Sequence, residues 1–184
     1  MHIEELLPGL LLIKPRVFED HRGHFFESFR SDVLQKHGVN DAFVQDNQSL
    51  SNRGILRGLH FQLPPHTQSK LVRVVQGAVL DVAVDIRQGS PTYGRHVAVE
   101  LSAEYHHQLY IPEGFAHGFL TLQDRTLFLY KCNRYYAPDF EQGLPWNDPD
   151  LNVNWGIENP VLSAKDEAHG SFAHFQSPFT YPSA

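Results

Sequence analysis

Apolar and polar positions alternate with a period of two through the middle of the chain. Over residues 78–87, Leu80, Val82, Val84 and Ile86 share one face, while Asp81, Ala83 and Asp85 share the other. That alternation predicts a β-strand. Residues 69–76 read as the strand before it, with Gly77 as the turn. Residues 97–101, 108–111, 116–122 and 126–135 read as further short strands, and 24–30 and 43–51 as extended segments. The apolar run containing Leu56, Leu59 and Phe61 is also strand-like. One helix is predicted over 31–37, with Ser31 as its N-cap and Gly38 as its stop. Beyond Tyr136 the chain is rich in Pro, Asn, Asp and Gly, which predicts loops and helical turns. Turn signals recur at sandwich or barrel spacing, so the pattern predicts a mainly β jelly-roll barrel with a few short helices.

Composition narrows the class. A chain of 184 residues fits one domain spanning 1–184 with a sizeable core. A net charge of −6 argues against a general nucleic-acid binder, though not against a local basic pocket. Cys132 is the single cysteine, which excludes an intrachain disulfide and fits a reducing cytoplasm. Residues 1–15 carry Glu4 and Glu5 before a short apolar run, unlike a secretory signal. No run reaches membrane-spanning length.

Four constellations can carry chemistry. In the first, Arg57, His60 and Lys70 are close in sequence, and each is costly to bury unless paired or used. His60 and Gln62 share one side of their strand, and Lys70, Val72 and Val74 share one side of the next. A hairpin of these two strands would place His60 and Lys70 in one cavity. A histidine exchanges a proton near neutral pH. A lysine stabilises an oxyanion, and arginines suit phosphate oxygens. The set points to proton transfer on a phosphate-bearing molecule; the bland alternative is a satisfied core histidine beside a rim lysine. The second constellation, Ile111 to Phe119, brings His117, which reads equally as a buried, hydrogen-bonded residue. In the third, Tyr130 alternates with Phe128 and Cys132 and should face the interior, as packing or as a proton donor. The fourth is the late stretch 162–166, where Asp166 can orient a histidine and favour its charged form.

Metal and cofactor motifs are missing. Twelve histidines include no H-x-H pair. His106 and His107 are adjacent and would point to opposite faces of a strand. Gln62 stands where a second ligand would follow His60. There is no zinc spacing, P-loop or G-x-G-x-x-G. We therefore expect no metal and no cofactor.

Taken together, these segments resemble the dTDP-4-dehydrorhamnose 3,5-epimerase family. The matching stretches are Asp20-His21-Arg22-Gly23, Phe26-Glu27-Ser28, Phe43-Val44-Gln45-Asp46-Asn47 and Leu56 to Gln62. They continue with Lys70-Leu71-Val72-Arg73, Asp81 to Arg87, Ser90 to Gly94, Ile111 to Phe119 and Leu129-Tyr130-Lys131. Tyr135-Tyr136, Trp146-Asn147-Asp148 and Leu162 to Asp166 complete the set, in order over residues 10–166. The resemblance implies a metal-free, cupin-like jelly roll that forms a homodimer and acts on dTDP-4-dehydro-6-deoxy-D-glucose. It implies His60 as base, Asp166 as its partner, Tyr130 as proton donor and Lys70 as enolate stabiliser. Arg22, Glu27, Gln45, Asp46, Asn47, Arg57, His117, Glu141 and Lys165 fall on substrate-contacting positions, with Arg22 and Glu27 serving the partner subunit's site.

The chemistry agrees with the residues. A C4 ketone acidifies the C–H bonds at C3 and C5, and inversion needs a base on one face of the ring and an acid on the other. Two departures stand out. Gln48 replaces a histidine common among relatives, a change expected to touch the sugar contacts. The tail from Glu167 onward matches no pattern, and its Phe172, His174, Phe175 and Phe179 are expected to pack on the barrel or at the dimer interface. A single-carbon epimerase or ketoisomerase would use the same motifs. A non-catalytic sugar-nucleotide binder would need the arginines but not the acid–base set.

Overall fold

The computed structural model describes residues 1–182. The chain opens on a hairpin, β1 (His2–Leu7) and β2 (Leu10–Lys14), then a smaller one, β3 (Phe18–Asp20) and β4 (Gly23–Phe25). Helix α1 (Ser31–Gln35) follows. Next come β5 (Gln45–Ser51), β6 (Leu56–Gln62), β7 (Lys70–Gln76) and β8 (Ala78–Asp85). The last strands are β9 (His96–Ser102), β10 (Gln108–Ile111), β11 (Phe115–Thr121), β12 (Thr126–Cys132) and β13 (Glu141–Gly143). One antiparallel sheet runs β1-β2-β10-β7-β12-β5 and a second runs β13-β6-β11-β8-β9. They face each other as the two halves of a cupin-like jelly roll. Among the described residues no helix is long and apolar enough to cross a membrane.

Three apolar layers explain the strand patterns. Leu10, Val72, Val74, Val79, Ala83, Phe119 and Phe128 fill the space between the sheets. Leu56, Leu59, Val82, Val84 and Ile86 lie on the outer face of the second sheet, under Leu144, Leu151, Trp155 and Phe179. Leu11, Ile13, Leu71 and Tyr110 lie on the outer face of the first, under Leu34 of α1 and Val39. The C-terminal tail therefore packs on the barrel through Phe172, Phe175 and Phe179, whereas His174 is exposed.

Several boundaries differ from expectation. The predicted extension over 24–30 contracts to the end of the β3–β4 hairpin. The strand predicted over 126–135 stops at Cys132. Its next residue, Asn133, instead spends its side chain on Ser69, Asp41 and Glu113. The helix is shorter than 31–37, and Ser31 is its first residue rather than its cap. The first helical N–H, from Leu34, bonds the Arg30 carbonyl, and the extended Arg30 is the N-cap. β6 and β7 belong to different sheets and do not pair as a hairpin.

Candidate active site

A cavity of about 550 Å³ opens between the sheets at one end of the barrel. β6 supplies Arg57 and His60 to one wall, while β7 and β12 supply Lys70 and Tyr130 from the opposite sheet. Period two alone would send Arg57 and His60 to opposite faces. A bulge prevents this: His60 pairs His117 and Arg57 pairs Phe119, so Gly58 and Leu59 together oppose Gly118. The bulge requires glycine at 58. Its φ is +116°, and a Cβ there would lie 2.5 Å from Gly118 Cα and 2.6 Å from the His117 carbonyl.

His60 Nε2 is hydrogen-bonded to Asp166 Oδ1. The hydroxyl of Ser163 donates to Asp166 Oδ2 at 2.8 Å, and the Asp166 N–H returns to Ser163 Oγ at 3.2 Å. Burial pushes the Asp166 carboxyl up. The hydrogen bond and charge of His60, followed by Ser163 and His169, outweigh it and hold Asp166 below the ordinary carboxylate range. Asp166 is therefore an anion fixed against one imidazole edge, while His60 keeps about a quarter (26%) of its side chain open.

Lys70 lies in the cavity with no ion-pair partner among the described residues. Burial lowers its ammonium pKa, partly offset by Cys132, Glu141 and Asp81. Burial also raises the Tyr130 phenol, reinforced by Cys132 and Glu141, so Tyr130 holds its proton at neutral pH. Arg57 is anchored by its Nε and NH2 groups on Ser51 Oγ, at 3.3 and 3.2 Å. His117, beside His60 in the β6–β11 pair, is buried and bonds both Asp81 oxygens at 3.1 and 3.0 Å. Burial lowers its pKa, against the pull of Asp81. Gln45 and Asn47 point inward, with Gln45 Nε2 donating to Asn47 Oδ1 at 3.0 Å. Glu141 completes the rim, accepting from Tyr136 Oη at 2.6 Å and from Lys165.

Four predicted residues fall outside this cavity within one chain. Asp46 alternates with Gln45 and Asn47, lies on the opposite face of β5, and pairs with Lys131 at 2.7 Å. Lys165 reaches the site only through Glu141. Arg22 and Glu27 sit in the exposed segment around the β3–β4 hairpin, Arg22 against Asp20 and Glu27 against Arg30. Gln48 shares the exposed face with Asp46, so its side chain does not reach the cavity of its own chain. Sequence reasoning missed Ser163 and His169. His169 is three residues after Asp166, a spacing that places both on one side of a turn; its Nε2 lies 3.8 Å from Asp166 Oδ1.

An acid and a base on facing walls, a buried cation and an arginine at the mouth suit proton transfer on an anionic, carbonyl-bearing ligand. The model of the dTDP-4-dehydrorhamnose 3,5-epimerase family matches residues 4–174. The chain belongs to that family. It is 52% identical to the dTDP-4-dehydrorhamnose 3,5-epimerase of Shigella flexneri over 165 residues, covering 89% of this chain and 91% of the relative. A crystal structure of the Legionella pneumophila dTDP-6-deoxy-D-glucose-3,5-epimerase, in complex with dTDP-4-keto-L-rhamnose, superposes with a TM-score of 0.93. That protein is 43% identical, with 99% of this chain and 100% of the other covered. A 3'-monoepimerase of Streptomyces bikiniensis in complex with dTDP-quinovose is 37% identical, with a TM-score of 0.87 over 94% and 88% of the two chains.

Proposed function

We propose that this chain, as one epimerase domain, converts dTDP-4-dehydro-6-deoxy-D-glucose to dTDP-4-dehydro-L-rhamnose in dTDP-L-rhamnose biosynthesis, inverting C3 and C5. The observation that carries the reading is His60, held by Asp166, facing Tyr130 across a cavity that also contains Lys70. His60 removes the proton beside the C4 ketone. The electron pair moves into the C–C bond, and the carbonyl oxygen becomes an enolate. Lys70 meets that oxyanion, whose charge offsets the cost of the buried ammonium. Tyr130, protonated because it is buried, returns a proton from the other face. Arg57 at the mouth binds the diphosphate. The reaction is redox-neutral and needs no added cofactor.

The protein acts in the cytoplasm as a homodimer, with Arg22 and Glu27 contributed to the partner subunit's site. The exposed hairpin that carries Arg22 supports this arrangement.

Incubation with dTDP-4-dehydro-6-deoxyglucose in deuterated water, read by mass spectrometry and NMR, tests the reading. Deuterium at C3 and C5 with formation of the L-rhamno ketose is expected. Exchange at one carbon only would make the protein a single-site epimerase, the reading that its likeness to the monoepimerase favours. No exchange would leave a sugar-nucleotide binder.

A further inference from the structure

His169 is an unused group beside the acid–base pair. Its side chain is only 11% exposed, and its Nε2 has no hydrogen-bond partner among the described residues. That nitrogen is 3.8 Å from Asp166 Oδ1, beyond hydrogen-bond reach. A buried ring nitrogen left unpaired costs free energy, and native structures seldom tolerate it. His169 is held there by packing: it lies over Gly143, where a side chain would leave it no room. The turn that carries it is closed by Asp166 N–H to the Ser163 carbonyl and Ala168 N–H to the Lys165 carbonyl.

His60, Asp166 and His169 each present one ligand atom, and the three atoms lie within 4.8 Å of one another. We propose that these residues form a binding site for a single zinc-type transition-metal ion, and that the ion switches the epimerase off by capturing its base. Two imidazoles and one carboxylate suit Zn²⁺, Co²⁺ or Ni²⁺ and disfavour Mg²⁺ and Ca²⁺. In a tetrahedral zinc site adjacent ligand atoms are about 3.3 Å apart, given bonds of roughly 2.0–2.1 Å. His169 must close slightly on Asp166, and the His60–Asp166 contact must open to that spacing. A water completes the coordination at the fourth position. Ser163 already holds the other oxygen of Asp166 at 2.8 Å, the type of outer contact that fixes a ligand carboxylate. The ion takes the place of the N–H that His60 donates to Asp166, and the neutral imidazole holds its single proton on Nδ1. This is not a cofactor role, since an imidazole held by the ion through Nε2 carries its proton on Nδ1 and has no lone pair left to take one from the sugar. Binding itself does not depend on the sugar assigned above, whereas the inhibition rests on that assignment.

Isothermal titration with zinc chloride, on the full chain after chelation, tests the site. The wild type, His169→Ala, His169→Gln and the exposed-surface control His37→Ala are compared, each checked by circular dichroism and dTDP binding. One zinc per chain is expected for the wild type and His37→Ala. Affinity should fall about tenfold or more in both His169 variants. Cobalt(II) in the wild type should give the visible absorption of a four-coordinate site. Zinc should stop deuterium exchange into the sugar, chelator should restore it, and half-inhibition of the His169 variants should need correspondingly more zinc. Zinc affinity unchanged by loss of His169 would overturn the site, as would a cobalt spectrum typical only of the hydrated ion. One zinc bound per chain without inhibition would leave the site standing and overturn the switch.

Discussion

Asp166 accepts from His60 on one oxygen and from Ser163 on the other, so the carboxylate is held on both sides and the imidazole edge facing it is fixed. Tyr130 stands on the other sheet, so the two groups have separable duties. His60→Ala should lose exchange at both carbons by about 10²–10⁴ in rate while dTDP binding persists. Tyr130→Phe should retain exchange, because the enolate still forms, but lose net inversion. Deuterium incorporation and chiral product analysis on the two variants separate these outcomes, and inversion at the wild-type rate in Tyr130→Phe would reduce Tyr130 to a packing residue. His60, Lys70 and Tyr130 were legible because a charged or hydroxylated residue inside an alternating strand must be paired or used. The same alternation sets Asp46 and Gln48 outward, opposite the inward row of Gln45 and Asn47, against the expectation that both touch substrate in their own chain. His169 was marked only by its three-residue spacing from Asp166, because a turn outside the strands has no longer periodicity to set which side a residue takes.

At the level of elements, alternation succeeded where one face of a strand differs from the other, and failed where both are covered. Leu10 and Leu12 of β2 fill the interior while Leu11 and Ile13 lie under α1, so the strand reads only as an apolar run. The β6 bulge was equally hidden, since it depends on the close passage of Gly58 and Gly118 in two strands far apart in sequence. Beyond β8 a polar knot joins elements that no local pattern relates. Asp85 accepts from Arg87, Ser90 and Thr92; Arg87 donates to the Pro8 carbonyl and stacks on Phe115 and Tyr181. Burial pushes the Asp85 carboxyl up, but those hydrogen bonds outweigh it, so its folded pKa is lowered. The sign follows from linkage: a depressed carboxylate contributes stability that is fully present above its unfolded pKa of about 3.9 and is lost as pH falls through the lower folded value. Asp85→Asn should cost about 3–5 kcal/mol at neutral pH, because it strands the buried guanidinium. Urea unfolding between pH 7 and pH 2.5 should show the wild type's advantage constant down to about pH 4 and shrinking below it. An advantage independent of pH would mean that the knot acts through shape and not through the charge on Asp85.

For the molecule as a whole, the β3–β4 hairpin is the part a single chain leaves unexplained. It forms a two-stranded sheet of its own, and such hairpins are marginal without a surface to pack on. His24 and Phe26 stack on His106 and tie its base to the barrel, yet Phe18 is 51% exposed and Phe25 67%. Arg22, at the turn, has 78% of its side chain in solvent and, among the described residues, reaches only Asp20. A second copy of the chain would cover these phenylalanines and place Arg22 against the partner's cavity. Solution mass should then be twice 21.0 kDa. A sharper measurement pairs two defective chains. Arg22→Ala keeps its own base but withdraws the arginine from its partner; His60→Asn keeps the arginine but has no base. Heterodimers purified through two different tags would combine the intact base of one chain with the intact arginine of the other. If Arg22 crosses the interface, one of the two sites is whole, and activity should return to about half that of a wild-type dimer. If Arg22 serves its own chain, each site still lacks one group, and the heterodimer should exceed neither parent's average. Activity no greater than that average, in a confirmed heterodimer, would confine the arginine to its own subunit.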